Sequence, residues 1–437
     1  MPDAPNILLL MSDQHRGDWL AGDDAPPVRT PNLDALAHRG MRFTRAYCPS
    51  PLCAPSRASL ASGRDFLRCG VATTQDNYPL DQPTYYQRLR DAGYRVGGVG
   101  KFDLHKGTLD WNLDGSRLLD AWGFTDGIDS EGKFDGSTSY RTTGGPRGPY
   151  MAFLAERGLA DTYVKEHATG KQHHNAYVTT LPEDAYCDNW IADNGLDLLG
   201  RWPRREPWHL VVNFAGPHAP MDVTEAMAAR WREVRFEPPH APAADADAPR
   251  DEDHQRIRRH YAAMIENIDR HVGRYLSLLE ERGELERTLV VYASDHGEML
   301  GDHGRFGKSV HYEPSVRVPL IVAGPGVAPR AQSDALVSLH DLAATFLEMG
   351  EAGPLPAMDA RSLVPVLAQP GQRHREHVVT ALNNWRAVID ERYKLVEGVE
   401  GGPRLHDLHD DPWEDRDIAA EAPARVERMR QWLPAHA

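Results

Sequence analysis

The stretch Thr288–Glu298, "TLVVYASDHGE", is apolar at almost every position up to Ser294 and then turns abruptly polar at Asp295 and His296. A strand with one wet face alternates apolar and polar residues. A continuous apolar run of this length instead reads as a strand covered on both faces, the signature of a parallel sheet. Three more segments share the pattern: "NILLLM" (Asn6–Met11), "YRVGGVG" (Tyr94–Gly100) and "WHLVVNF" (Trp208–Phe214). Helical patterns lie between them. "TPNLDALAHRG" predicts a helix with Thr30 as cap, Pro31 at the first position and Gly40 at the end. From about Asp253 to Arg282 the apolar residues Ile257, Tyr261, Met264, Ile265, Ile268, Val272, Tyr275 and Leu279 recur at helical spacing. The alternation predicts an α/β fold, a large and mainly parallel sheet sandwiched by helices.

The polar residues just past each strand are more informative than the strand itself. Asp13 and Gln14 come after the first, Lys101, Asp103 and His105 after the second, His218 after the third, and Asp295 and His296 after the fourth. Ligands of open parallel sheets bind beyond the carboxyl ends of the strands, so these groups are expected to meet in one crevice. Oxygen donors such as Asp13, Gln14 and Asp295 suit a hard divalent cation better than zinc. Lys101, His218, Lys308 and Arg57 would add positive charge around it, which makes a pocket for a small anion.

Composition agrees with a folded globular protein and narrows its partners. The chain has 437 residues, 41% hydrophobic and 26% charged, enough apolar content for a sizeable core. Its formal net charge of -15 argues against nucleic acid as the main partner. No apolar run is long enough to span a bilayer, and "MPDAPNILLLMSDQ" lacks the basic start of a signal peptide. The expectation is therefore a cytoplasmic protein with no membrane partner, and homo-oligomerisation is left open. The cysteines Cys48, Cys53, Cys69 and Cys187 form no CxxC pair, and in a reducing compartment they are expected as free thiols.

Cys53 stands apart because of its setting, "CAPSRASLASGR" (Cys53–Arg64). This stretch resembles the signature of type I, formylglycine-dependent sulfatases of the alkaline phosphatase-like superfamily, in which the cysteine of C-x-P-S-R is oxidised to formylglycine. "NILLLMSDQHRGD", "TPNLDALAHRGMRFTRAY", "GVGKFDLH", "TLVVYASDHGEMLGDHGRFGK", "RVPLIVAGPG" and the C-terminal "YKLVEG…LHDLHDDPWEDRDIA" resemble further parts of the family in order, so the resemblance spans nearly the whole chain. It implies a catalytic α/β domain over residues 1–365, with a rim insert at about 126–180. A C-terminal α+β subdomain with a small antiparallel sheet would cover 366–437.

The resemblance also implies roles. Cys53 would become an aldehyde that hydrates to a diol; one hydroxyl attacks sulfur and the other lets sulfate leave by elimination. Asp13, Gln14, Asp295, His296 and residue 53 would hold the metal, calcium first, with magnesium or manganese as alternatives. The family often has a second Asp in place of Gln14 and Asn in place of His296. Arg57 would orient formylglycine, Lys101 and Lys308 would grip sulfate, and His218 would contact sulfate or protonate the leaving alcohol. Many sulfatases place a histidine where Asp103 stands, so either His105 takes over its catalytic role or His105 is structural and the leaving-group side of the pocket differs; Asp103 itself, Asn77 and Trp385 would contact substrate. Tyr78, Trp111, Asn384 and Arg386 are further rim candidates, and Asp76 is an alternative to Asn77. The implied function is hydrolysis of sulfate monoesters of a small organic or saccharide alcohol, with a formylglycine-generating enzyme as maturation partner. The alternatives are a phosphonate monoester or phosphodiester hydrolase of the same superfamily and a catalytically silent anion-binding protein.

Overall fold

The computed structural model describes residues 4–21, 26–168, 175–240 and 251–433. The adjacent histidines His173 and His174 lie outside them. In chain order the strands are β1 (Asn6–Asp13), β2 (Gly40–Tyr47), β3 (Arg95–Gly100), β4 (Asp126–Asp129), β5 (Ala176–Val178), β6 (Trp208–Pro217), β7 (Met221–Val223), β8 (Thr288–Ser294), β9 (Arg317–Ala323), β10 (Ala331–Ser333), β11 (Val337–Ser338), β12 (Val378–Leu382), β13 (Trp385–Ile389), β14 (Tyr393–Glu397) and β15 (Arg404–Asp407). Among the described residues the main sheet has nine strands in the order β10-β2-β9-β8-β1-β6-β3-β4, with β11 beside β2. All its pairings are parallel except those of β9 with β2 and β8. The expected fold class is thus observed, and β1, β3, β6 and β8 all end at one edge.

The apolar strands are buried on both faces for a visible reason. Ile7, Leu9 and Met11 of β1 join one core with Leu60, Leu89 and Phe346. Leu8 and Leu10 join another, with Ile191, Leu199, Ile268 and Tyr275. Each such side chain contributes about 1.5–3 kcal/mol of burial. The long helix runs Asp251–Glu281, and its eight predicted stripe residues are all buried.

Two local expectations are corrected. Thr30 precedes the Pro31–Arg39 helix but makes no capping bond; its hydroxyl accepts from Ala21 N instead. The first turn is capped from outside by Asp269, which accepts from the backbone N–H groups of Asn32 and Leu33. The stretch from residue 126 was expected as an insert at the rim. Asp126–Asp129 in fact pairs with β3 in the main sheet, and three helices come after it, Lys133–Thr143, Pro149–Glu156 and Ala160–Ala168. Its few β-branched residues hid the strand.

The strands β12–β15 form an antiparallel meander. One face packs on the Pro423–Arg430 helix through Val388, Leu395, Leu405, Val426 and Met429, and the other adds Ala387, Ile389 and Val396 to the main core.

Candidate active site

Cys53 opens the Cys53–Ser62 helix and is 1% exposed. Its Sγ lies 3.2 Å from His296 Nε2, 3.6 Å from Asp13 Oδ1 and 2.9 Å from Lys308 Nζ. Asp13 ends β1, and Asp295 and His296 come directly after β8, so the edge of the parallel sheet brings them to the thiol. One helical turn on, Arg57 Nε donates to Asp295 Oδ2 at 2.9 Å and Nη1 to the Lys101 carbonyl at 2.6 Å, while Nη2 reaches Asp13 Oδ2 at 3.4 Å. Lys101 Nζ pairs with Asp13 and lies 3.0 Å from Asp103 Oδ2. Lys101 can sit there because Gly100 has φ 104 and its backbone presses on β6. A Cβ at Gly100 would lie 2.0 Å from the Asn213 carbonyl.

This density of cations sets the protonation states. Burial pushes the Cys53 thiol up and Asp13 adds to that, but Lys101, Lys308 and His296 outweigh both and hold it at about 5. Burial also opposes ionisation of Asp13, yet Lys101, His218, Lys308 and Arg57 keep it well below the usual carboxylate range. His218, half-buried, is driven well below the ordinary histidine range by burial and by Lys308. Its Nδ1 is 2.5 Å from the Ala219 carbonyl, so that nitrogen carries the proton.

Ligand atoms of Asp13, Cys53, Asp295 and His296 all lie within 4.8 Å of one another. Oxygen ligands on opposite sides of a calcium ion are about 4.6–5.2 Å apart, so the cluster fits such an ion. The Gln14 side-chain carbonyl faces the same space: it accepts from Lys308 Nζ at 2.8 Å.

Other expected residues are placed differently. His105 does not join the thiol: its Nε2 is 2.7 Å from Asp129 Oδ2 and its Nδ1 3.1 Å from Thr108 Oγ1, with Trp111 and Trp122 against the ring. Both nitrogens thus brace the loop after β3. Asp103 is 3% exposed and reaches Lys101 and Lys106 rather than the rim. Asn77 is exposed, and Asp76 turns back on Ala72 N and Thr73 N. Tyr78 and Trp111 are buried. Trp385, at the start of β13, donates from Nε1 to the Ser309 carbonyl at 3.2 Å, and so supports the loop of Lys308 from the C-terminal sheet. Asn384 is the exposed residue beside it, and Arg386 is buried.

Sequence reading missed three contributors. Ser56 Oγ donates to the Asp295 carbonyl at 2.7 Å. Gly132 packs against the stem of Lys101, where a Cβ would meet Cε at 2.8 Å. Glu298 is buried and contacts Gln14. Only Ser56, the serine of the C-x-P-S-R stretch, carried a usable signal.

Comparison with known proteins agrees with this architecture. The Sulfatase profile matches residues 5–352, and that of the N-sulphoglucosamine sulphohydrolase C-terminal region matches 301–433. An arylsulfatase of Clostridium perfringens is 26% identical, covering 98% of this chain and 93% of that protein. A choline-sulfatase of Rhizobium meliloti is 29% identical over 95% of this chain and 82% of its own length. Among solved structures, a phosphonate monoester hydrolase of Agrobacterium radiobacter superposes with a TM-score of 0.81 at 23% identity, covering 98% and 94% of the two chains. A protein in complex with its substrate D-glucosamine-2-N,6-O-disulfate gives 0.78 at 20% identity, covering 98% and 97%. At these identities the two structures speak for the fold alone.

Proposed function

The chain belongs to the sulfatase family of sulfuric ester hydrolases, and from that premise we propose that it hydrolyses sulfate monoesters of a small organic or saccharide alcohol at Cys53. The observation that carries this reading is the meeting of Cys53 Sγ with Asp13, His296 and Lys308 at the head of a buried helix. Asp13, Gln14, Asp295, His296 and residue 53 would hold a divalent ion, calcium first and magnesium or manganese otherwise; once bound it would polarise a sulfate oxygen and the nucleophile. Oxidised to formylglycine by a maturation enzyme and hydrated by water to a diol, residue 53 would supply one hydroxyl as nucleophile, and the other, losing its proton, would re-form the aldehyde and release sulfate by elimination.

The chain's own groups divide the remaining work. Arg57 fixes Asp13, Asp295 and the Lys101 carbonyl in one plane of hydrogen bonds, which leaves residue 53 a fixed approach. Lys101 and Lys308 present ammonium groups to the anion, and their charge is most effective where water is excluded. His218, neutral at rest with its proton on Nδ1, stands close enough to Lys308, Asp13 and Lys101 to feel their charge, and would act on that anion. A bound sulfate favours protonation there, and the proton can pass to the leaving alcohol. His105 and Asp103 act on this face only through the loop and through Lys101. No described helix is long and apolar enough to cross a membrane; a cytoplasmic setting, and partners limited to substrate and the maturation enzyme, complete the proposal.

The test is kcat/KM for matched aryl sulfate, phosphate and phosphonate esters on one preparation of measured formylglycine content. Sulfate should be preferred, each tenfold corresponding to about 1.4 kcal/mol. A phosphonate ester turned over ten times better than its sulfate counterpart would put the phosphonate hydrolase reading ahead.

A further inference from the structure

Gln14 is held in the left-handed backbone region, at φ 72, and every polar group it has is partnered. Its N–H donates to Asp295 Oδ1 at 3.0 Å, and its carbonyl accepts from the Tyr261 hydroxyl at 2.6 Å. Its side-chain Nε2 donates to Glu298 Oε2, while Oε1 accepts from Lys308 Nζ at 2.8 Å. Glu298 is fully buried, and its other oxygen, Oε1, already accepts the backbone N–H groups of Leu300 at 3.0 Å and Gly307 at 2.5 Å. Oε2 is thus the atom left to accept from the Gln14 amide. An amide meets that demand with its NH2; a carboxylate would set two acceptors against each other in a buried place, a costly arrangement.

We propose that Glu298 is a positioning residue that fixes which way the Gln14 amide points, turning Oε1 toward Cys53, Lys308 and the metal. Through Gly307 the same carboxylate seats the loop from which Lys308 extends. This gives a physical reason for glutamine where the family resemblance leads one to expect a second Asp: the partner beneath it is an acceptor. The inference rests on the proposed reading of Gln14 as a metal ligand.

The test exchanges the pair without changing its shape. In Glu298→Gln, the side-chain carbonyl at position 298 keeps the two backbone donors and its NH2 faces position 14. Gln14 must then flip and present NH2 to the metal. In Gln14→Glu, two carboxylates meet. In the double exchange, which combines Gln14→Glu with Glu298→Gln, the carboxylate at position 14 accepts from the amide at position 298 and still turns an oxygen to the ion. Calcium binding to chelator-stripped protein is measured by calorimetry, apart from any activity. Each single variant should bind roughly tenfold to hundredfold more weakly, and the exchange should recover most of the loss, a non-additivity that loosened packing cannot produce. If one single variant does not fold, the other against the exchange makes the same comparison. Single variants that bind calcium like the parent, or an exchange as weak as the two losses combined, overturn the role of Glu298 alone. A parent that binds no divalent ion overturns the metal reading, and this inference with it.

Discussion

Replacing Trp385 with Phe removes the indole N–H and part of the ring but keeps an aromatic side chain, and it tests whether the C-terminal sheet works through Lys308. The indole donates to the Ser309 carbonyl at 3.2 Å, and Ser309 N in turn donates to the Pro51 carbonyl at 3.2 Å, two residues before Cys53. A carbonyl left unpaired in a buried place costs about 1–3 kcal/mol, and this half-buried one, bonded at the long end of the N–H···O range, belongs at or below the lower figure. If about 1 kcal/mol falls on the placement of Lys308 in the transition state, kcat/KM drops about fivefold. The loss should lie mainly in kcat and be equal for aryl sulfates with small and bulky alcohols, because Lys308 faces the sulfate and not the alcohol. Trp385→Ala adds a cavity costing about 3–5 kcal/mol of stability, so Phe is the cleaner probe. Unchanged kinetics in the Phe variant, or a rise in KM confined to bulky alcohols, would refute the supporting role and restore Trp385 as a substrate contact.

Cys53→Ala should abolish turnover while leaving the far-ultraviolet circular dichroism unchanged, and activity surviving in a preparation that peptide mass spectrometry shows to be fully unmodified would contradict the formylglycine reading. Chelation should lower both activity and Tm, and calcium at about a hundred times its Kd should return about 2.7 kcal/mol of stability; zinc as the only activating ion would overturn the oxygen-ligand argument. Lys308→Met, which removes the ammonium 2.9 Å from Sγ, should lower kcat/KM by about 10²–10³, and a loss under tenfold in matched assays would remove it from the machinery. His209, buried between Ile7 O and Tyr85 OH, has its pKa lowered by burial to about 3. An unfolded histidine titrates near ~6.5, so the unfolded state takes up the proton first as pH falls and stability is lost below about pH 7. At pH 5 that loss is about 2 kcal/mol. His209→Gln should therefore show a correspondingly smaller fall in unfolding free energy between pH 7.5 and pH 5, and an unchanged slope would contradict the assignment.

The central strands were legible because a strand covered on both faces has no polar alternation to confuse the reading, and the residues just beyond them converged as the parallel topology requires. Cys53, Arg57, Asp13, Asp295, His296, Lys101 and Lys308, named in this way or through the resemblance, are brought together by the structure. Others are drawn elsewhere by local structure. His105 carries the same side chain as a site histidine, but only the fold reveals Asp129 as its partner. Asn77 and Asp76 sit in a stretch whose polarity serves its own turn. The Asp126–Asp129 strand was hidden because Asp and Gly are poor strand formers, and its pairing with β3 supplies what propensity does not. Glu298 escaped because the demand it places on Gln14 is set by two backbone N–H groups that no sequence pattern displays.

The C-terminal sheet also imposes an order in time. Ala381 N donates to the Pro49 carbonyl at 3.1 Å and Trp385 reaches Ser309, so strands from near the end of the chain close over a thiol that lies near its beginning and is 1% exposed. Under the formylglycine reading, an enzyme that must grasp Cys53 would have to work on an unfinished chain. Residue 53 is synthesised about 330 residues ahead of Trp385, which at about 5–20 residues per second is a window of roughly 15–65 s. On that reading the distance along the sequence would act as a clock for maturation. A circularly permuted chain that makes β12–β15 first would run that clock out before the cysteine appears, and peptide mass spectrometry at residue 53 would read the difference.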